Sequence, residues 1–122
     1  MRVGVVVPDL ILFSRIEAAA VAEGAELQRV DRPAELPAEL DLILVDWSAR
    51  EDGWAMELQE RAGAAVILFG PHTDLEAHAD ARAAGLGPMQ ARSWLVSRLA
   101  EGGALGRMAA RTADRGGGER PS

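Results

Sequence analysis

Two aspartates carry most of the chemical interest of this 122-residue chain. Each closes an apolar run, Asp9 at the end of VVVPD and Asp46 at the end of DLILVD. A carboxylate at the exit of a buried strand can form a turn, cap a helix, bind a ligand or react. Two carboxylates sharing a crevice repel unless a cation or a proton intervenes. A hard, oxygen-seeking cation such as Mg²⁺ is one solution, held by one or two carboxylates and waters. Arg92 is another, because its guanidinium could neutralise a carboxylate or grip an incoming phosphate with two hydrogen bonds. His72, in the turn GPHT, could join the aspartates around a metal.

Each residue also has an ordinary structural role. Asp9 precedes an apolar stretch and suits a helix N-cap. Asp46 leaves the choice open, since DWSAR needs no particular cap. An arginine at position 92 could be a surface ion-pair residue, and His72 a solvated turn residue. Trp54 reads as packing, Trp94 as an aromatic at a helix start that could serve a partner surface.

Composition removes several classes of function. All 13 basic residues are arginine, and cysteine and tyrosine are absent, so thiolate, disulfide and lysine chemistry are excluded. The lack of cysteine suits a reducing cytoplasm, the expected location. Residues 1–101 hold nine arginines against seventeen acids, a charge of −8, and residues 102–122 carry +2. An acidic body disfavours nucleic acid, whose phosphates need a basic surface. No apolar stretch approaches the roughly 20 residues needed to cross a bilayer, and MRVGVVVPD is not a secretory leader.

The elements that must position the aspartates alternate. Strands are expected at 2–7, 26–30, 42–45, 64–69 and near 88–91. Helices are expected at 10–24, over WAMELQERAG with Trp54, Leu58 and Ala62 inward, at 74–84 with Leu75, Ala79 and Ala83 inward, and from Ser93, which would cap WLVSRL. Prolines 33 and 37 leave room for one helical turn in DRPAELPAEL. Such alternation builds βαβ units and a parallel sheet covered on both faces. The expected fold is therefore α/β, a flavodoxin-like doubly wound five-stranded parallel sheet in order 2-1-3-4-5 with its second helix reduced. Ligands in such sheets bind at the carboxyl ends of the strands where the order reverses, between strands one and three. Asp9 and Asp46 end those two strands. Gly102-Gly103 marks the end of the domain at residue 101, and 102–122 reads as a flexible tail with a short helix at 104–113. No P-loop, dinucleotide fingerprint or G-x-S-x-G elbow is present.

This arrangement resembles a bacterial response-regulator receiver domain over residues 1–101. DLILVD has the family's acid, four apolar residues and terminal aspartate. AVILFG, DARAAG and GLGPMQAR then follow in the family's order and register. The resemblance implies Asp46 as the phosphoacceptor, with Asp9, Asp46 and a backbone carbonyl near Ser48 holding Mg²⁺. It puts Pro8 where a second metal-binding acid is usual, Gly70 on a hydroxyl position, Arg92 on a lysine position and Met89 on a switch aromatic. Gly70 and Arg92 would then face the phosphoryl group, and Met89 and Trp94 a partner.

The implied function is a stand-alone, atypical signalling module that acts through protein–protein contacts, with phosphorylation at Asp46 impaired, and not an enzyme beyond that self-catalysed phosphorylation. Its partner would be a histidine kinase or a downstream target, or a second copy in a homodimer, with no nucleic acid and no membrane. The contact face would be the helix at 74–84, strand five and the helix at 93–101. Two alternatives stand beside it. One is a constitutive module of the same fold in which Arg92 pairs with Asp46 across the pocket. The other is a small metal- or ligand-binding protein using Asp9, Asp46 and His72.

Overall fold

The most apolar run of the chain becomes the centre of a sheet. In a computed structural model, which describes residues 1–61 and 63–110, β3 (Leu42–Asp46) lies between β1 (Arg2–Val6) and β4 (Ala65–Gly70). All five of its residues are buried, as expected of a strand covered on both faces. β2 (Glu26–Arg29) and the two-residue β5 (Gln90–Ala91) form the edges, giving the order β2-β1-β3-β4-β5 with every pairing parallel. This is the expected doubly wound order.

Helices cover both faces. α1 (Leu10–Glu23) and α4 (Arg92–Leu99) pack on one, where Val3, Val5, Leu12, Ile16, Phe69 and Leu95 form a core. α2 (Trp54–Gln59) and α3 (Leu75–Ala83) pack on the other, around Val6, Ile43, Val45, Trp47, Trp54 and Leu58. Asp9 caps α1 through Oδ1, which accepts from the amides of Ile11 and Leu12 at 2.9 and 3.2 Å. Gly24 ends that helix at φ 69°, a conformation that favours glycine.

The reduced second helix is a three-residue 3₁₀ turn, Pro33–Glu35. Leu36 and Leu40 from this segment lie directly on β1, because Gly4 presents no side chain there. A Cβ at Gly4 would meet Leu36 Cδ2 at 2.6 Å and Leu40 Cδ1 at 2.7 Å. Arg61 fastens the segment by donating to the carbonyls of Pro33, Leu36 and Pro37.

Three expectations change. The inward face of α3 is Ala77 and Ala81, while Leu75 is 76% exposed and Ala79 and Ala83 face solvent. The small alanines let α3 lie close to the Trp47 ring, whose Nε1 donates to the Ala77 carbonyl at 3.1 Å. α4 begins at Arg92, with no side-chain cap, so Ser93 lies inside the helix.

The packed chain also continues past residue 101. Residues 104–110 are helical, and Ala104, Leu105 and Met108 are buried in the core beneath α1 and α4. Glu23 caps this turn, its two carboxylate oxygens each accepting at 3.0 Å, from the amides of Leu105 and Gly106. Gly102-Gly103 therefore bends the chain back onto the core, with Gly103 at φ 76°. Ala62 and residues 111–122, including the end of the expected helix and the expected tail, lie outside the described residues. Among the described residues no helix is long and apolar enough to cross a membrane.

Candidate functional site

Parallel pairing of β1 with β3 brings Asp9 and Asp46 to the same rim of the sheet. Asp46 is its last residue on β3 and is 4% exposed, the one charged side chain buried among the described residues. A buried carboxylate needs partners for its lone pairs. Oδ1 accepts from the Ser48 amide at 3.1 Å and from the Ser48 hydroxyl at 2.5 Å. Oδ2 accepts from Arg92 Nη2 at 3.1 Å.

Arg92 reaches the rim from the start of α4 and divides its fork. While Nη2 holds Asp46, Nη1 donates to Asp9 Oδ2 at 3.2 Å. The guanidinium also lies over the Phe69 ring, 5.9 Å from its centroid. One cation thus links the ends of β1 and β3 to the first turn of α4. Its planar fork is what permits two carboxylates to be held at once.

On the β4 side the pocket is closed by packing. Met89 is buried, not a surface residue, which corrects its expected place on a partner face. A Cβ at Gly70 would meet Met89 Sδ at 3.1 Å, Met89 Cε at 3.4 Å and Ser48 Cβ at 3.5 Å. Met89 therefore fills the volume that a side chain at position 70 would take. Beyond Asp46, Arg50 donates through Nε and Nη2 to Asp80 Oδ2 and through Nη1 to the Trp47 carbonyl, tying the β3 exit to α3. Nothing in the sequence pairs Arg50 with a residue 30 positions away.

The donor set does not suit a hard divalent cation. Each carboxylate oxygen of Asp9 and Asp46 already accepts a hydrogen bond, and Arg92 supplies the positive charge between them. Pro8 offers no side-chain oxygen. His72 lies in an exposed turn, where its carbonyl is 3.2 Å from His78 Nε2. Among the described residues no three histidine, aspartate or glutamate side chains cluster as a metal site. The Asp9–Asp46–His72 alternative has no geometric basis. Trp94 is half-buried against the core, with Arg98 over its ring at 5.8 Å.

No protein-family model matches the sequence, and no curated protein matches it. The fold is nonetheless that of receiver domains. A solved structure described as a response regulator receiver domain protein from Clostridium thermocellum aligns with a TM-score of 0.61. It covers 92% of this chain and 96% of its own, at 16% sequence identity. At that identity the likeness establishes the architecture, and the use of the site rests on its own residues.

Proposed function

We propose that this chain is a constitutive protein-interaction module on the receiver fold, with its acceptor aspartate held by an internal arginine. The observation that carries the reading is the fork of Arg92, bonded to Asp46 and Asp9 together. Phosphorylation of Asp46 needs an accessible Oδ and a cation to offset the entering charge. Here Oδ1 is engaged by Ser48, Oδ2 by Arg92, and the charge is already balanced. Mg²⁺ has no part in this reading, and neither does catalytic turnover. The contact surface is α3, β5 and α4, with Leu75 exposed and Trp94 partly so.

The test combines acetyl phosphate, beryllofluoride and Mg²⁺ with a variant retaining Trp47 as its one tryptophan. Native Asp46 is expected to gain no phosphoryl mass, and Trp47 emission to stay constant. A phosphoryl adduct lost in Asp46→Ala would overturn the reading. Once a protein partner is identified, its affinity should be the same for native protein and Asp46→Ala.

A further inference from the structure

The sheet leaves two edges unpaired, β5 with two residues and β2 with four. In β2 the backbone of alternate residues points to β1. Glu26 donates to the Met1 carbonyl at 2.9 Å and Val30 to the Val5 carbonyl at 3.0 Å. By the same alternation Gln28 faces β1, and the N–H and C=O groups of Leu27 and Arg29 point outward. Neither outward amide has a hydrogen bond among the described residues. The open stretch is closed at both ends. The Ala25 amide is bonded to the Ala20 carbonyl at 2.9 Å, and the Asp31 amide to Glu35 Oε1 at 3.2 Å.

Side chains leave this edge accessible. The 3₁₀ turn Pro33–Glu35 replaces a full helix, and Leu36 and Leu40 settle over Gly4 of β1. Gln28, on the same face of β2, is exposed. On the opposite face Leu27 packs against the α1 core. Arg29 is drawn back over the sheet, its Nε donating to the Val7 carbonyl at 3.0 Å and its guanidinium 5.6 Å from the Phe13 centroid. No proline guards β2, so its free backbone groups are a template for another strand.

The order of residues in β2 selects a second copy of itself. In an antiparallel pair, opposed residues exchange both backbone bonds only when both point across the gap. Leu27 opposite Leu27 sets Arg29 against Ala25, whose amide is taken. Arg29 opposite Arg29 juxtaposes like charges and sets Leu27 against Asp31, whose amide is also taken. Only Leu27 opposite Arg29 uses both outward residues of each chain, every free N–H then meeting a C=O. That register places Gln28 opposite the same residue of the second copy, on the two-fold axis. Gln28 points its backbone to β1, so this is a non-hydrogen-bonded pair, whose side chains approach closely. Each carboxamide there donates N–H to the oxygen of the other.

We propose that the chain forms a two-fold dimer through β2, its sheet continuing antiparallel into that of a second copy. The edge is separate from Asp46 and from the face made by α3, β5 and α4, so its test is independent of the proposed function. The paired stretch is short, so the dimer is weak and is read at high concentration.

The test is a ¹H–¹⁵N dilution series of the full chain, with light scattering on the same samples. The amide protons of Leu27 and Arg29 should move downfield together as concentration rises, with the Gln28 side-chain amide. The Gln28 backbone amide, already bonded to β1, should move less. Gln28→Glu puts two carboxylates on the axis and should weaken association about tenfold, leaving signals far from β2 unchanged. The chain has no cysteine, so Gln28→Cys should cross-link under oxidised glutathione faster than Glu26→Cys, which the register sets opposite Val30. A chain that stays monomeric at millimolar concentration overturns the proposal and leaves the edge to a strand of another protein. A dimer whose shifts fall on α3, β5 and α4 overturns it too, as does equal cross-linking at positions 26 and 28.

Discussion

Arg92 Nη2 lies 3.1 Å from Asp46 Oδ2, joining residues 46 positions apart across the carboxyl edge of the sheet. Asp46 is buried and Arg92 about one-third exposed, so the pair is only partly screened by water. Removing one partner of a fully buried pair costs about 3–5 kcal/mol, and exposure lowers that figure. Arg92→Ala should lose about 2 kcal/mol of stability in urea unfolding. A double-mutant cycle with Asp46→Asn should return a coupling of about 1–2 kcal/mol. Additive effects would mean that the contact holds nothing.

Arg92 supplies the positive charge between Asp9 and Asp46. In Arg92→Ala two carboxylates face each other without a counter-charge, which favours cation uptake. Mg²⁺ should raise the melting temperature of Arg92→Ala and leave that of the native protein unchanged. An equal rise in both would show that Arg92 does not compete with metal.

The Gly70–Met89 contact predicts paired behaviour. Gly70→Thr forces a branched side chain against Met89 Sδ, 3.1 Å from the Cβ position, and should destabilise by about 1–3 kcal/mol. Met89→Ala leaves a cavity and should lose about 2–4 kcal/mol. The double variant should be more stable than the sum of these losses implies, because one change fills what the other empties.

The end of the folded domain is equally testable. Leu105 is fully buried, so Leu105→Ala should cost about 2–5 kcal/mol. A chain ending at residue 101 loses Leu105 and Met108 from the core, together with both Glu23 bonds. It should unfold at markedly lower urea than one ending at 110. Equal midpoints would restore the boundary at 101.

Much of the architecture was legible in periodicity. VVV, LILV and AVILF are short, continuously apolar and rich in β-branched residues, as strands covered on both faces are, and their alternation with helices pointed to a parallel order. The pairing of Asp9 with Asp46 followed from that order, since a parallel sheet puts successive strand ends on one rim. The faces of short elements were not legible. On α3 the larger Leu75 suggested an inward stripe, yet the buried face is Ala77 and Ala81, two residues along, where the Ala77 carbonyl accepts from Trp47 Nε1. Gly102-Gly103 looked like a terminus because a glycine pair that ends a domain and one that turns a chain back are identical in sequence.

The sequence by itself determined which groups reach the rim, because strand length and parallel connection follow from local apolar patterning. Only the tertiary structure decided how those groups are used. Whether Arg92 faces solvent, a phosphate or both carboxylates depends on where α4 starts relative to β1 and β3. The burial of Met89 depends likewise on how distant segments fill space. Such contacts arise from packing between elements, and no local pattern encodes them.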